Sequence, residues 1–119
     1  MKKKLIKQLD KIFSEIIRAG GYCQRCGEYK PKQMLHAAHI FPRTHKRLRW
    51  NLNNAFCLCY RCHIHWWHQN PIEATKWASS VRDIGELEEI YKINKPVKEF
   101  EMEEWLENLK KKRAEYGLE

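Results

Sequence analysis

All six histidines of this 119-residue chain fall between His36 and His68. Three of its five cysteines lie in the same stretch, and the other two form a knuckle, Cys23-Gln-Arg-Cys26, just upstream. Nitrogen and sulfur donors at this density point to metal chemistry before anything else. The pairs Cys23-x2-Cys26 and Cys59-x2-Cys62 are separated by 32 residues. Four thiolates satisfy the tetrahedral preference of zinc and leave no coordination position open, so this set is expected to be structural. Zinc binding would then supply folding free energy that so small a core cannot. Cys57 is left over and reads as a small buried hydrophobe, although Cys57 in place of Cys59 stays open as a ligand.

Charge is distributed around the same stretch. The formal net charge is +8. Residues 23–68 carry eight Lys/Arg against one acid, Glu28, for +7, whereas residues 69–119 carry nine against twelve acids, for −3. A positive field focused on the ligand-rich segment suits a polyanion, because Lys and Arg neutralise phosphates and release their condensed counterions. The opening residues MKKKLIKQLDKIF interrupt their apolar positions with Lys7, Gln8, Asp10 and Lys11. That is an amphipathic helix, not the apolar run of a signal peptide, and no stretch approaches the roughly 20 residues of a membrane span. A cytoplasmic, reducing setting is expected, in which C-x-x-C pairs bind metal more often than they form disulfides.

Several elements must position these groups. Leu5, Ile6, Leu9, Ile12, Phe13, Ile16 and Ile17 recur at steps of three and four, which predicts a helix over residues 3–19 stopped by Gly20-Gly21. Pro31 precedes a short strand expected over residues 33–41, followed by a basic loop over 43–54 and a return strand near 55–58. Residues 60–68 read as helical. Asn70-Pro71-Ile-Glu73 has the cap, N1 proline and acidic third position of a helix start, predicting a helix to about Ser79. Two more helices are expected, over about 85–93 and 98–116, the last burying Met102, Trp105, Leu106 and Leu109. The class is α+β and mainly α. One domain is expected over 1–119: an N-terminal helix (1–20), a zinc-stapled core (21–69) and a C-terminal helical scaffold (70–119).

Within that core the order of residues resembles the signature of HNH endonucleases. His39-Ile-x-Pro42, then Asn54 five residues before Cys59, then His63 directly after Cys62 carry the likeness, which covers about Cys23 to His68, some 40% of the chain. It is most similar to the zinc-stapled branch that includes phage endonuclease VII and many phage and prophage proteins. The resemblance implies a ββα-metal fold that hydrolyses phosphodiesters with one divalent ion, Mg²⁺ or Mn²⁺, with Ni²⁺ or Zn²⁺ as alternatives. By position, His39 would be the general base, Asn54 would fix the loop and orient it, and His63 would hold the catalytic cation. In one respect the chain departs from the family, which usually carries a metal-binding Asp or His immediately before the base. Here that residue is Ala38. His36 lies on the same side of a strand, because side chains alternate, and is the candidate replacement. Alternatively His68 helps from the helix, water and phosphate complete the shell, or the enzyme is weakened.

HNH hairpins resemble wedges that enter the minor groove, so the strip from Arg43 to Trp50 would grip DNA. Arg43 is the candidate for the scissile phosphate, Lys46, Arg47 and Arg49 are positioning contacts, and Trp50 either anchors the loop in the core, the commoner fate, or stacks on a base. The expected activity is therefore metal-dependent DNA endonuclease. The rivals are a zinc-stapled DNA-binding module that has lost catalysis and an accessory nuclease of a phage packaging or recombination complex.

Overall fold

The computed structural model describes residues 2–118, and among them the elements run α1 (Lys2–Ile17), β1 (Leu35–His39), α2 (Lys46–Arg49), β2 (Ala55–Cys59), a π-helix (Arg61–Trp67), α3 (Pro71–Val81), α4 (Ile84–Tyr91) and α5 (Glu99–Glu115). The protein is thus mainly helical with one two-stranded sheet, and its centre is a strand–strand–helix unit. No helix among the described residues is long and apolar enough to cross a membrane.

The apolar stripe of α1 does what its periodicity predicts. Leu5, Leu9, Ile12, Phe13 and Ile16 are buried against Met102, Leu106 and Leu109 of α5, with Trp50 and Ala55 closing the cluster. Arg113 and Glu15 tie the two helices together at 3.0 Å. A second cluster forms on the opposite side of the hairpin, where Phe56 and Leu58 meet Cys23, Ala38, Cys62 and Ala78, with Trp67 and Trp77 packed against it. A hairpin covered on both faces explains why every residue of β2 is buried.

The strands are antiparallel, with His36 opposite Leu58, Ala38 opposite Phe56 and His39 opposite Ala55. β1 is shorter than the expected 33–41. Residues Lys32–Met34 are wound into a 3₁₀ turn after Pro31, and the chain beyond His39 bends over Asn54. The basic loop is also more ordered than expected. It winds into α2 and a second 3₁₀ turn, Leu52–Asn54, and α2 docks on α4 where His45 Nε2–H donates to the Tyr91 carbonyl at 3.0 Å. The start of α3 differs in another way. Asn70 occupies the cap position but makes no capping hydrogen bond. Its amide donates to the Trp66 carbonyl, and Glu73 accepts from Trp66 Nε1 at 2.7 Å. The tryptophan has taken both polar groups that the sequence assigned to the helix start.

Candidate active site and metal centre

The first knuckle folds by local necessity. The Gly27 N–H donates to the Cys23 carbonyl at 2.8 Å, and its φ of 81°, open to glycine without strain, turns the chain back so that the Glu28 carbonyl accepts from the Cys23 N–H at 2.9 Å. The Gln24 N–H and side chain exchange hydrogen bonds with the backbone of Cys57, so the knuckle is laid along β2. β2 ends on Cys59, and the first turn of the π-helix carries Cys62. The four ligand atoms of Cys23, Cys26, Cys59 and Cys62 lie within 4.8 Å of one another. Sulfurs bound tetrahedrally about 2.3 Å from zinc stand roughly 3.8 Å apart, and Cys26 and Cys59 Sγ are separated by 3.9 Å. This is a structural metal site with the donor set of zinc. Burial and the neighbouring thiols Cys59 and Cys23 push Cys62 up to about 12, so the quartet cannot ionise fully without a cation to balance it. Cys57 is outside the quartet; burial pushes its thiol up to about 11, which makes it an inert core residue.

His39 ends β1 on the face toward α1. Its ring stacks on Phe13, with centroids 5.3 Å apart and planes 22° from parallel. Its Nε2 lies 3.0 Å from the Arg49 carbonyl. A carbonyl only accepts, so Nε2 carries the proton and Nδ1 keeps its lone pair. Burial lowers the pKa of His39 below its ordinary value of 6.5, with the nearby Arg43 and Arg49 charges acting in the same direction. The imidazole is therefore neutral at pH 7.

Asn54 is wholly buried and uses its amide three times. Its Nδ2 donates to the carbonyls of Phe41 at 3.1 Å and Leu48 at 2.9 Å, and its Oδ1 accepts from the Phe41 N–H at 2.8 Å. It pins both ends of the loop that leaves His39.

The π-helix brings His68, offered by the sequence as an alternative helper, onto His63. The His68 N–H bonds to the His63 carbonyl, an i to i+5 closure at 3.1 Å. Five residues along an α-helix turn through about 140°, to the far side, whereas the wider turn stacks His68 over His63. His63 Nε2 lies 3.1 Å from His68 Nε2, and His63 Nδ1 lies 2.9 Å from His36 Nδ1. His63 is thus the middle member of three imidazoles. Burial, with the charges of His68, His36 and His39, lowers its pKa to about 4. A neutral imidazole is the metal-binding form. Two nitrogens about 2.1 Å from one octahedral ion stand roughly 3.0 Å apart, so either pair fits a divalent cation, His63 with His36 or His63 with His68. Ala38 is buried in the second core cluster. A cleft of about 470 Å³ is lined by Ala37, His39, Pro42, Arg43, His63 and His68, among others.

The basic strip is less free than its sequence suggests. Arg49 donates to Asp10 from Nε at 3.1 Å and from Nη2 at 2.7 Å, and Arg47 is held by Glu101 at 3.0 Å. Arg43 reaches Asp10 as well, at 3.1 Å, but its side chain stays 58% exposed. Trp50 is the expected anchor, 5% exposed, with its Nε1–H on Asp10 at 2.8 Å. His65 is exposed beside Tyr60. The reading by composition missed Asp10 and Phe13, which lie on α1 far from the motif.

Residues 23–70 match a protein-family model described as HNH endonuclease. The match begins at the first knuckle and ends after the π-helix, and it suggests a nuclease-type function for this segment. No curated protein and no solved structure matches the chain.

Proposed function

We propose that this protein is a divalent-metal-dependent DNA endonuclease in which His39 is the general base. The observation that carries the reading is the pairing of two neutral imidazoles with different surroundings on one cleft. His39 has Nε2 committed to a carbonyl and Nδ1 free, while His63 sits between two further imidazoles. The first is arranged to take a proton and the second to hold a cation.

In this mechanism His39 Nδ1 accepts a proton from water as its oxygen attacks phosphorus, and the Arg49 carbonyl stabilises the imidazolium through Nε2–H. Asn54 keeps the loop closed, so the ring does not turn away between cycles. Arg43, exposed at the rim, and Lys46 are the phosphate contacts; Arg47 and Arg49 are reserved for Glu101 and Asp10. His63, with His36 or His68, would hold a divalent ion, which would supply stabilisation of the negative charge that develops during hydrolysis.

The test is cleavage of supercoiled plasmid by the purified, zinc-loaded protein with Mg²⁺, Mn²⁺ or Ni²⁺, against an EDTA control. Ion-dependent nicking or linearisation is expected, and none with any ion would refute the assignment. Ala38 favours a second reading, a DNA-binding module without catalysis, and the same assay separates the two. The cation pair is tested by substitution. His36→Ala and His68→Ala should raise the ion concentration needed for half-maximal rate by unequal factors, the larger, about 10–100-fold, marking the true partner of His63. Unchanged ion dependence in both would remove both residues from the site.

A further inference from the structure

Asp10 stands out because nothing in the HNH-matching segment accounts for it. It is one of two acids in the first 22 residues, against six Lys/Arg. Three donors from one stretch converge on its carboxylate: Arg49 through Nε and Nη2, Trp50 through Nε1, and Arg43 through Nη2. Hydrogen bonds from Arg49 and Trp50 hold the carboxyl below its ordinary value, outweighing burial, which acts the other way.

Arg49 and Trp50 are consecutive, so their side chains flank a single peptide unit. The carbonyl of that unit is the one that lies 3.0 Å from His39 Nε2. Two flanking side chains fastened to one carboxylate leave the peptide plane little freedom to rotate. The preceding peptide is fixed too, since the Leu48 carbonyl accepts from Asn54 Nδ2. One helical turn beyond Asp10, on the same face, Phe13 backs the ring of His39. A single face of α1 thus holds the base's hydrogen-bond acceptor and the base's ring.

We propose that Asp10 is a positioning residue for His39: by clamping Arg49 and Trp50 it aims the Arg49 carbonyl at Nε2 and keeps the imidazole in the tautomer whose Nδ1 is free. The proposal rests on the reading of His39 as the base, and it assigns part of the active site to a helix outside the matched segment. Arg43 completes the arrangement. Its exposed guanidinium makes one hydrogen bond to Asp10 and can pass to a phosphate while Arg49 and Trp50 stay in place.

The experiment compares wild type, Asp10→Asn, Trp50→Phe and His39→Ala, all zinc-loaded, by ¹⁵N imidazole NMR and by plasmid cleavage. Asn retains an acceptor for Trp50 and loses the charge that grips Arg49. In wild type His39 is expected as a single Nε2–H tautomer. Asp10→Asn should show a mixture of tautomers and a kcat lowered roughly 10–100-fold, the scale of a misplaced catalytic group. Its KM should stay level or fall, because an acid has left a basic DNA-facing strip; lost folding alone would not lower KM. Trp50→Phe keeps the ring in the core and removes one donor, so a smaller loss in the same direction is expected, and it decides the matter if Asp10→Asn does not fold. A pure Nε2–H tautomer with wild-type kcat in the folded variants would overturn the proposal. Absence of cleavage above His39→Ala in the wild type would instead overturn the nuclease reading, and the NMR arm would still show whether Asp10 controls His39.

Discussion

His39→Ala should lower the cleavage rate by about 10²–10⁴-fold, the usual contribution of a positioned general base, while leaving DNA affinity close to wild type. The separation follows from the geometry. His39 lines the cleft but is half-buried, stacked on Phe13 with Nε2 tied to Arg49, so it offers the phosphate backbone no positive charge. Arg43 at the rim is untouched by the substitution. Single-turnover cleavage and DNA-binding measurements on both proteins check the two halves, and an Ala variant cutting at the wild-type rate would exclude His39 as the base. The pH profile carries an independent sign. The pKa of His39 is lowered from 6.5, chiefly by burial, so the base remains neutral as pH falls through 6.5 and is protonated only below it. The acid limb of kcat/KM is therefore expected below pH 6.5, and His39→Ala should abolish that limb.

The parts of this site that local chemistry fixes are legible in the sequence. Cys-x-x-Cys spacing and the glycine after the first knuckle depend on neighbours a few residues away, whereas the order of His39, Asn54 and His63 is read through the family resemblance. The stripe of α1 and the buried side of α5 are equally plain, because burial imposes a period. What the sequence conceals is long-range pairing. Arg47 and Arg49 look like free cations, yet their partners Glu101 and Asp10 lie 54 and 39 residues away. Trp50 reads correctly as an anchor, but not as a donor to a helix on the other side of the chain. The π-helix is hidden for a different reason. It differs from an α-helix by one residue in hydrogen-bond register, and no residue type between Tyr60 and His68 marks that difference. His68, one of the alternatives for completing the cation shell, is brought over His63 by that register. The ladder shows how His36 can stand near His63 while Ala38, on the same face, is buried as core.

Removing the structural zinc should unfold the protein from one side. Cys23, Cys59 and Cys62 are buried in the cluster that contains Phe56 and Leu58 and packs against Trp67 and Trp77. The other cluster, between α1 and α5, contains no cysteine. Structural zinc sites in small modules contribute about 10–16 kcal/mol of apparent free energy at neutral pH, comparable with the roughly 5–15 kcal/mol that keeps a whole domain folded. A hairpin of two five-residue strands cannot replace that sum by itself. Native mass spectrometry should find one zinc per chain. Cys59→Ser or chelation should collapse the near-ultraviolet signal of Trp66, Trp67 and Trp77 while part of the far-ultraviolet helical signal, from α1 and α5, persists. Cleavage by Cys59→Ser should vanish even with Mg²⁺ or Mn²⁺ in excess, because Cys62 and His63 are consecutive and the π-helix that stacks His68 over His63 begins at the cysteine quartet. A chelated protein that keeps its tryptophan environment and its melting temperature would show that the four thiols hold the fold without a metal. The asymmetry between the two signals is the sharper readout, since it locates the zinc's contribution in the cluster that carries the cleft rather than in the helices that support it.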